Sequence, residues 1–117
     1  MNSDQKGLIE FIMRLPSRLE VEVHRTAEGK FWAKVLNLPG CVTQADSFGE
    51  LIEMINDAVH TYFEIPEKIS QHLGIYIPEK VKKVMEQREQ QKQLEDVVRE
   101  IMAGDTERLS FSLGGTA

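Results

Sequence analysis

Cysteine is almost missing: Cys41 stands alone among 117 residues. A single thiol excludes an internal disulfide and any multi-cysteine zinc site, and it suits a reducing compartment. Long apolar runs are missing too. No stretch approaches the ~20 apolar residues of a membrane-spanning helix. The opening "MNSDQKGLIEFIMRLPSR" carries an early Asp4 and only a short apolar run, so it reads poorly as a signal peptide. A cytoplasmic protein with no membrane contact is the expectation. Basic excess is also absent: 14 Lys and Arg face 19 Asp and Glu, a net charge of −5. That argues against a mainly electrostatic nucleic-acid binder. There is no H-E-x-x-H, and "SLGGTA" has no following helix to make it a phosphate loop.

What is present suits one small domain with an extension. At 41% hydrophobic and 28% charged, the chain can build a modest core. Residues 1–17 form a lead-in whose apolar period fits a short helix or an extended arm. "RLEVEVHR" alternates, with Leu19, Val21 and Val23 on one face and Glu20, Glu22 and His24 on the other. "TAEG" supplies a turn, and "KFWAKVL" alternates again, so the two segments predict an antiparallel hairpin. Phe31, Ala33 and Val35 form its inner face, and Lys30, Trp32 and Lys34 the outer one. "NLPG" must turn the chain, and "CVTQA" reads as a third strand.

Ser47 and Glu50 fit a capping box, and Asp46 adds negative charge at the positive end of a helix. Phe48, Leu51, Ile52, Ile55, Ala58, Val59, Tyr62 and Phe63 then repeat at helical spacing, with Glu50, Glu53, Asn56, Asp57, His60 and Glu64 opposite. That amphipathic helix is expected to cover the sheet and to end or bend at Pro66. Ile69 to Ile77 suggest a helical turn and then a short strand. Residues 79–103 are helix-prone, either as one long helix with a wet middle or as two. The last residues, with alternating Leu109, Phe111 and Leu113, either add a strand or fray.

The candidates for chemistry are few. Cys41 would need a neighbouring base to act as a nucleophile, and His24, His60 and His72 are scattered. A small buried residue at a strand start is the preferred reading. Glu20, Glu22, Asp46, Glu50, Glu53 and Asp57 could only form a degenerate metal nuclease, because no Asp, Asn and His share a ligand spacing. They read instead as solvated faces and a helix cap. No catalytic residue, metal or cofactor is expected, and the protein reads as a non-enzyme. Trp32 between Lys30 and Lys34 suits contact with a partner or a covering second layer. Residues 79–108 hold seven Lys and Arg against eight Asp and Glu, which is not a basic DNA-reading pattern.

Hairpin, Pro-Gly turn, short strand and capped helix, over residues 24–64, resemble the HicB-like antitoxin family. Leu38, Pro39, Gly40, Cys41, Thr43, Asp46, Ser47 and Glu50 match its motif, and Asp57 and Ala58 match further on. Ala45 replaces a usual glycine, Gly49 a usual glutamate and Leu51 a usual alanine. The resemblance implies an α+β fold: a small antiparallel sheet covered by an amphipathic helix, partly RNase H-like, without the nuclease acids. It implies residues 18–77 as that domain and 78–117 as a helical extension and tail.

In function, the resemblance implies the antitoxin of a toxin–antitoxin pair, or a stand-alone relative. It would act by protein–protein binding and neutralise a HicA-like RNase that cleaves mRNA. DNA-binding autorepression through the C-terminal segment is the alternative, and the degenerate nuclease a lesser one. The apolar stripes of 79–103 raise the expectation of a homodimer. Lys30, Trp32, Lys34, Val84, Leu94, Val98 and Ile101 are the candidate partner surface.

Overall fold

A computed structural model describes residues 3–87, 94–102 and 104–115. The elements run α1 (Ser3–Arg14), β1 (Arg18–Arg25), β2 (Phe31–Val35), β3 (Val42–Ala45), α2 (Phe48–Tyr62), α3 (Glu67–Ser70), β4 (Ile75–Pro78), α4 (Glu79–Gln87), α5 (Leu94–Ile101) and β5 (Thr106–Gly115). The strands form one antiparallel sheet in the order β3-β2-β1-β5-β4.

Strict alternation in β1 and β2 places Leu19, Val21, Val23, Phe31, Ala33 and Val35 on one buried face. In the β1–β2 register Val23 faces Ala33 and His24 faces Trp32, so the hairpin sorts its two faces as its period-2 pattern dictates. The Pro-Gly connection closes by Cys41 N–H donating to the Leu38 carbonyl (3.0 Å) and Val35 N–H donating to the Cys41 carbonyl (2.9 Å). Gly40 sits at φ +85°, where a side chain would be strained. Ala45 has no such constraint. It ends β3 with its methyl buried, so a non-glycine residue fits there.

Helix α2 starts as its cap predicts: Glu50 N–H donates to Ser47 Oγ at 3.1 Å. It buries Phe48, Leu51, Ile55 and Val59 against the sheet, with Phe48 meeting Phe31 edge to face at 5.7 Å. The helix stops before Pro66. Glu64 takes a left-handed φ of +54°, and Ile65 N–H donates to the His60 carbonyl at 2.9 Å, the arrangement usually built on glycine. Tyr62 is exposed rather than inward.

Two expectations need correction, and one open alternative is decided. Residues 18–77 are not a self-contained domain with 78–117 as a helical extension and tail. Residues 106–115 form β5, which lies between β1 and β4, with Leu109 and Phe111 in the core. Without it, β1 and β4 have no common neighbour. Of the two readings open for residues 79–103, the structure has two helices: α4 and α5 pack against each other, and α5 also packs on α2. Their connection, with the polar "QREQQKQ" run, lies largely outside the described residues.

The second correction is that Asn56 is not on the solvent side of α2. It is buried, and its amide spans helix and sheet. Asn56 Nδ2 donates to the Ile52 carbonyl (2.8 Å) and to the Tyr76 carbonyl (2.9 Å), while Tyr76 N–H donates to Asn56 Oδ1 (2.7 Å). The side chain therefore pairs with the free edge of β4 as another strand would. The Tyr76 ring is fully buried, and its hydroxyl donates to the Pro16 carbonyl, fixing the segment between α1 and β1.

Replacing Asn56 by leucine keeps the volume and leaves the Tyr76 N–H and carbonyl unpaired, at about 1–3 kcal/mol each. Urea denaturation is expected to show a loss of about 3 kcal/mol; a loss below about 1 kcal/mol would deny Asn56 this role. Burial pushes the Tyr76 hydroxyl up to about 12, against about 10 in the unfolded chain. The neutral form is thus favoured in the fold. Its contribution is complete below about pH 10 and is lost as pH rises toward 12. The stability gap between wild type and Tyr76→Phe should narrow from pH 9.5 to pH 11.5, and a constant gap would contradict it.

Candidate functional site: the open face of the sheet

The helices α2 and α5 cover one face of the sheet. The other face carries Glu20, Glu22 and His24 from β1, Trp32 and Lys34 from β2, Val42 and Gln44 from β3, and Thr106, Arg108 and Ser110 from β5. None of these is buried. Among the described residues, side chains of α4 reach it at one end, where Lys82 Nζ donates to Ser112 Oγ (2.6 Å) and Arg18 pairs with Glu79 (2.9 Å).

At the hairpin end of this face His24 and Trp32 stack, ring centroids 3.9 Å apart and planes within 5°. Their direct opposition across the β1–β2 ladder brings them together. Both imidazole nitrogens are held. Nε2 lies 2.7 Å from Glu22 Oε1, and Nδ1 lies 3.0 Å from Thr106 Oγ1. A carboxylate only accepts, so Nε2 donates to Glu22, while the threonine hydroxyl can serve Nδ1 as donor or acceptor. The Ser110 hydroxyl donates its one hydrogen between the two Glu20 carboxylate oxygens (2.9 and 3.0 Å). These contacts fix the platform under Trp32, which is itself 37% exposed. A rigid aromatic with a free face needs little ordering on binding.

Beside the indole lies a cleft of about 340 Å³ lined by Thr26, Lys30, Phe31, Trp32, Gln44, Ala45, Asp46 and Glu50. It joins two sets of residues that are apart in the sequence reading: the surface residues Lys30 and Trp32, and the motif residues Asp46 and Glu50. Lys30 Nζ approaches Asp46 Oδ1 to 3.6 Å, both well exposed. Such a pair is worth little to stability and is easily exchanged for a partner's charges. Lys34 is exposed on the same face, one pleat along.

The remaining candidates lie elsewhere. Leu38 and Cys41 are buried beneath the Pro-Gly turn, and burial raises the Cys41 thiol above its ordinary range, away from the reactive thiolate. Thr43 lies on the inner side of β3, beside Ala33 in the ladder. Val98 and Ile101 are corrected: at 5% and 6% exposure they are core residues, and no partner can reach them as a surface. The side chains of Val84 and Leu94 lie outside the described residues. Sequence reasoning placed His24 outward but missed its stack on Trp32; the cross-strand register would have revealed it. No group of His, Cys, Asp or Glu suited to a metal ion occurs among the described residues. No described helix is long and apolar enough to cross a membrane.

These features define an α+β protein with a five-stranded antiparallel sheet whose open face carries a stacked aromatic pair at its hairpin end. Over 64 residues the chain is 30% identical to a UPF0150 protein of Archaeoglobus fulgidus, covering 53% of this chain and 93% of that relative. The chain belongs to the UPF0150 family. No protein-family model matches it, and no solved structure does.

Trp32 is the only tryptophan, so its emission reports this face alone. His24→Ala is expected to raise and red-shift that emission, since it removes the stacked quencher and uncovers the ring; an unchanged spectrum would deny the stack.

Proposed function

We propose that the protein is a HicB-like antitoxin that acts by binding, not catalysis, and neutralises a HicA-like RNase through the open sheet face. The single observation that carries this reading is the pre-ordered Trp32–His24 platform with its adjoining cleft. Interfaces concentrate their energy in aromatic anchors of this kind. The motif from Leu38 to Glu50 supports the family assignment at the finer level. So does the order of a three-strand meander followed by a covering helix, the order that a partly RNase H-like fold would have.

Electrostatics support the choice of partner. An RNase must hold a polyanion, so its working surface is basic. This chain is acidic, at −5, and Asp46 and Glu50 line the cleft beside the anchor. They would occupy the places of RNA phosphates, and the Lys30–Asp46 contact would open to release the carboxylate.

The test is co-expression of the tagged chain with the product of the neighbouring gene, followed by an RNA-cleavage assay. A small RNase should co-purify and be silenced. Trp32→Ala should weaken the complex about 30-fold with little change in thermal midpoint. If the neighbouring gene encodes no such RNase and none is recovered, the antitoxin reading falls.

A further inference from the structure

The alternation of β1 puts Arg25 on the inner face of the sheet, in line with Leu19, Val21 and Val23. A cation there is out of pattern. The β1–β2 register sets it opposite Phe31, and its guanidinium carbon lies 5.6 Å from the centroid of that ring. Arg25 is mostly covered, yet it forms no ion pair among the described residues. Its Nε is shut off from solvent and has no hydrogen-bond partner. The aromatic face offsets part of the cost of covering a guanidinium, but a charge in such a place is as a rule paired. An arginine on the core face without an anion is an unfilled requirement.

Arg25 lines a cleft of about 430 Å³ between the hairpin turn, the start of α2 and α5. Arg99 lines the same cleft from α5. The contact of Arg99 with Asp96 is long, at 3.5 Å, and exposed, so it is exchanged at little cost. The first turn of α2 adds backbone donors. Ser47 Oγ takes the Glu50 N–H, and the Ser47 carbonyl takes that of Leu51. The N–H groups of Phe48 and Gly49 are left without a partner among the described residues, and Gly49 has no side chain to cover them. Such groups carry the positive end of the helix dipole. Asp46 is the acidic residue of the lining, and Lys30, which lines only the neighbouring cleft, holds its carboxylate at 3.6 Å.

Two guanidiniums and two free N–H groups suit a dianion, and arginine forks match phosphoryl oxygens. A phosphate monoester is close to dianionic at neutral pH, whereas a carboxylate carries a single charge. The cleft has the size of a small-molecule site and exceeds what a bare phosphoryl group fills. Phe31, Phe48 and Val98 make the rest of the lining apolar. We propose that this cleft binds a small phosphate monoester. Its phosphoryl group sits between Arg25, Arg99 and the first N–H groups of α2, and its organic body lies against Phe31, Phe48 and Val98. The site is on the helix-covered side of the sheet, so it is separate from the Trp32 face and stands or falls independently of the antitoxin reading.

Titration calorimetry on the full chain at low salt tests it, with phenyl phosphate and inorganic phosphate as the probes. Phenyl phosphate is expected to bind at about 0.1 mM and inorganic phosphate about tenfold more weakly. Arg25→Met should weaken phenyl phosphate about tenfold without lowering the thermal midpoint, because it removes an uncompensated charge from the core face. Arg99 is exposed, so Arg99→Gln should leave the fold intact and weaken binding about fivefold. Gly49→Glu should abolish binding of both probes, since it sets a competing carboxylate at a helix start that tolerates one. Absence of phenyl phosphate binding at about 5 mM, fifty times the expected constant, overturns the proposal. So does binding that Arg25→Met and Arg99→Gln leave undiminished. Equal affinity for the two probes overturns the ester and assigns the site to free phosphate.

Discussion

A sheet edge under a helix leaves backbone groups that neither water nor a strand can reach, and Asn56 answers that need. One primary amide carries one acceptor and two donor hydrogens, the set required by a strand residue on one side and a helical carbonyl on the other. Its bonds to Tyr76 and Ile52 join α2 to β4. Tyr76 then passes the constraint on through its hydroxyl to Pro16, where β1 is about to begin. Helix, edge strand and chain entry are set by one buried polar group. An apolar side chain there would pack but would leave the register of β4 unspecified.

That constraint shapes the surface as well. Because α2 and α5 occupy one side of the sheet, the strands display their alternate residues on the other, and the β1–β2 register places His24 under Trp32. The imidazole is clamped by Glu22 and Thr106, from its own strand and from β5. The platform thus depends on three strands and not on a loop, which suits recognition that must be pre-ordered. The cleft next to it depends on the β3–α2 junction, where Asp46 and Glu50 belong to the same local chemistry that starts the helix.

The hairpin and the start of α2 were legible because they obey short-range rules. Alternation in 18–25 and 31–35 needs no partner to be read, and the Ser47 cap is a local bond. Asn56 was not legible. A polar residue in a helical pattern defaults to the solvent side, and only the approach of β4 makes it an inner one. The stop of α2 was misplaced for a related reason: Glu64 in a left-handed conformation breaks the usual glycine rule, while Pro66 is the conspicuous signal. Of the candidate site, the outward places of Lys30, Trp32 and Lys34 followed from the strand period. The assignment of Val98 and Ile101 to a surface failed because an amphipathic stripe does not say which face covers it. The strand at 106–115 was left open for the same reason, since its pairing depends on residues some ninety positions earlier, as Arg18 facing Ser112 shows.

The place of β5 has a consequence for the order in which the molecule can be made. A ribosome delivers β1 first, with its hairpin partner and covering helix soon after. The far flank of β1 then stays open through the synthesis of α3, β4, α4 and α5. Until residues 106–115 emerge, β1 is a bare edge with a strong apolar face, the kind of template on which nascent chains join to one another. The sheet is therefore closed by a late arrival at its middle and not by growth at its rim. Such long-range closure is slow, and a chaperone holding the half-made hairpin would find its target in β1.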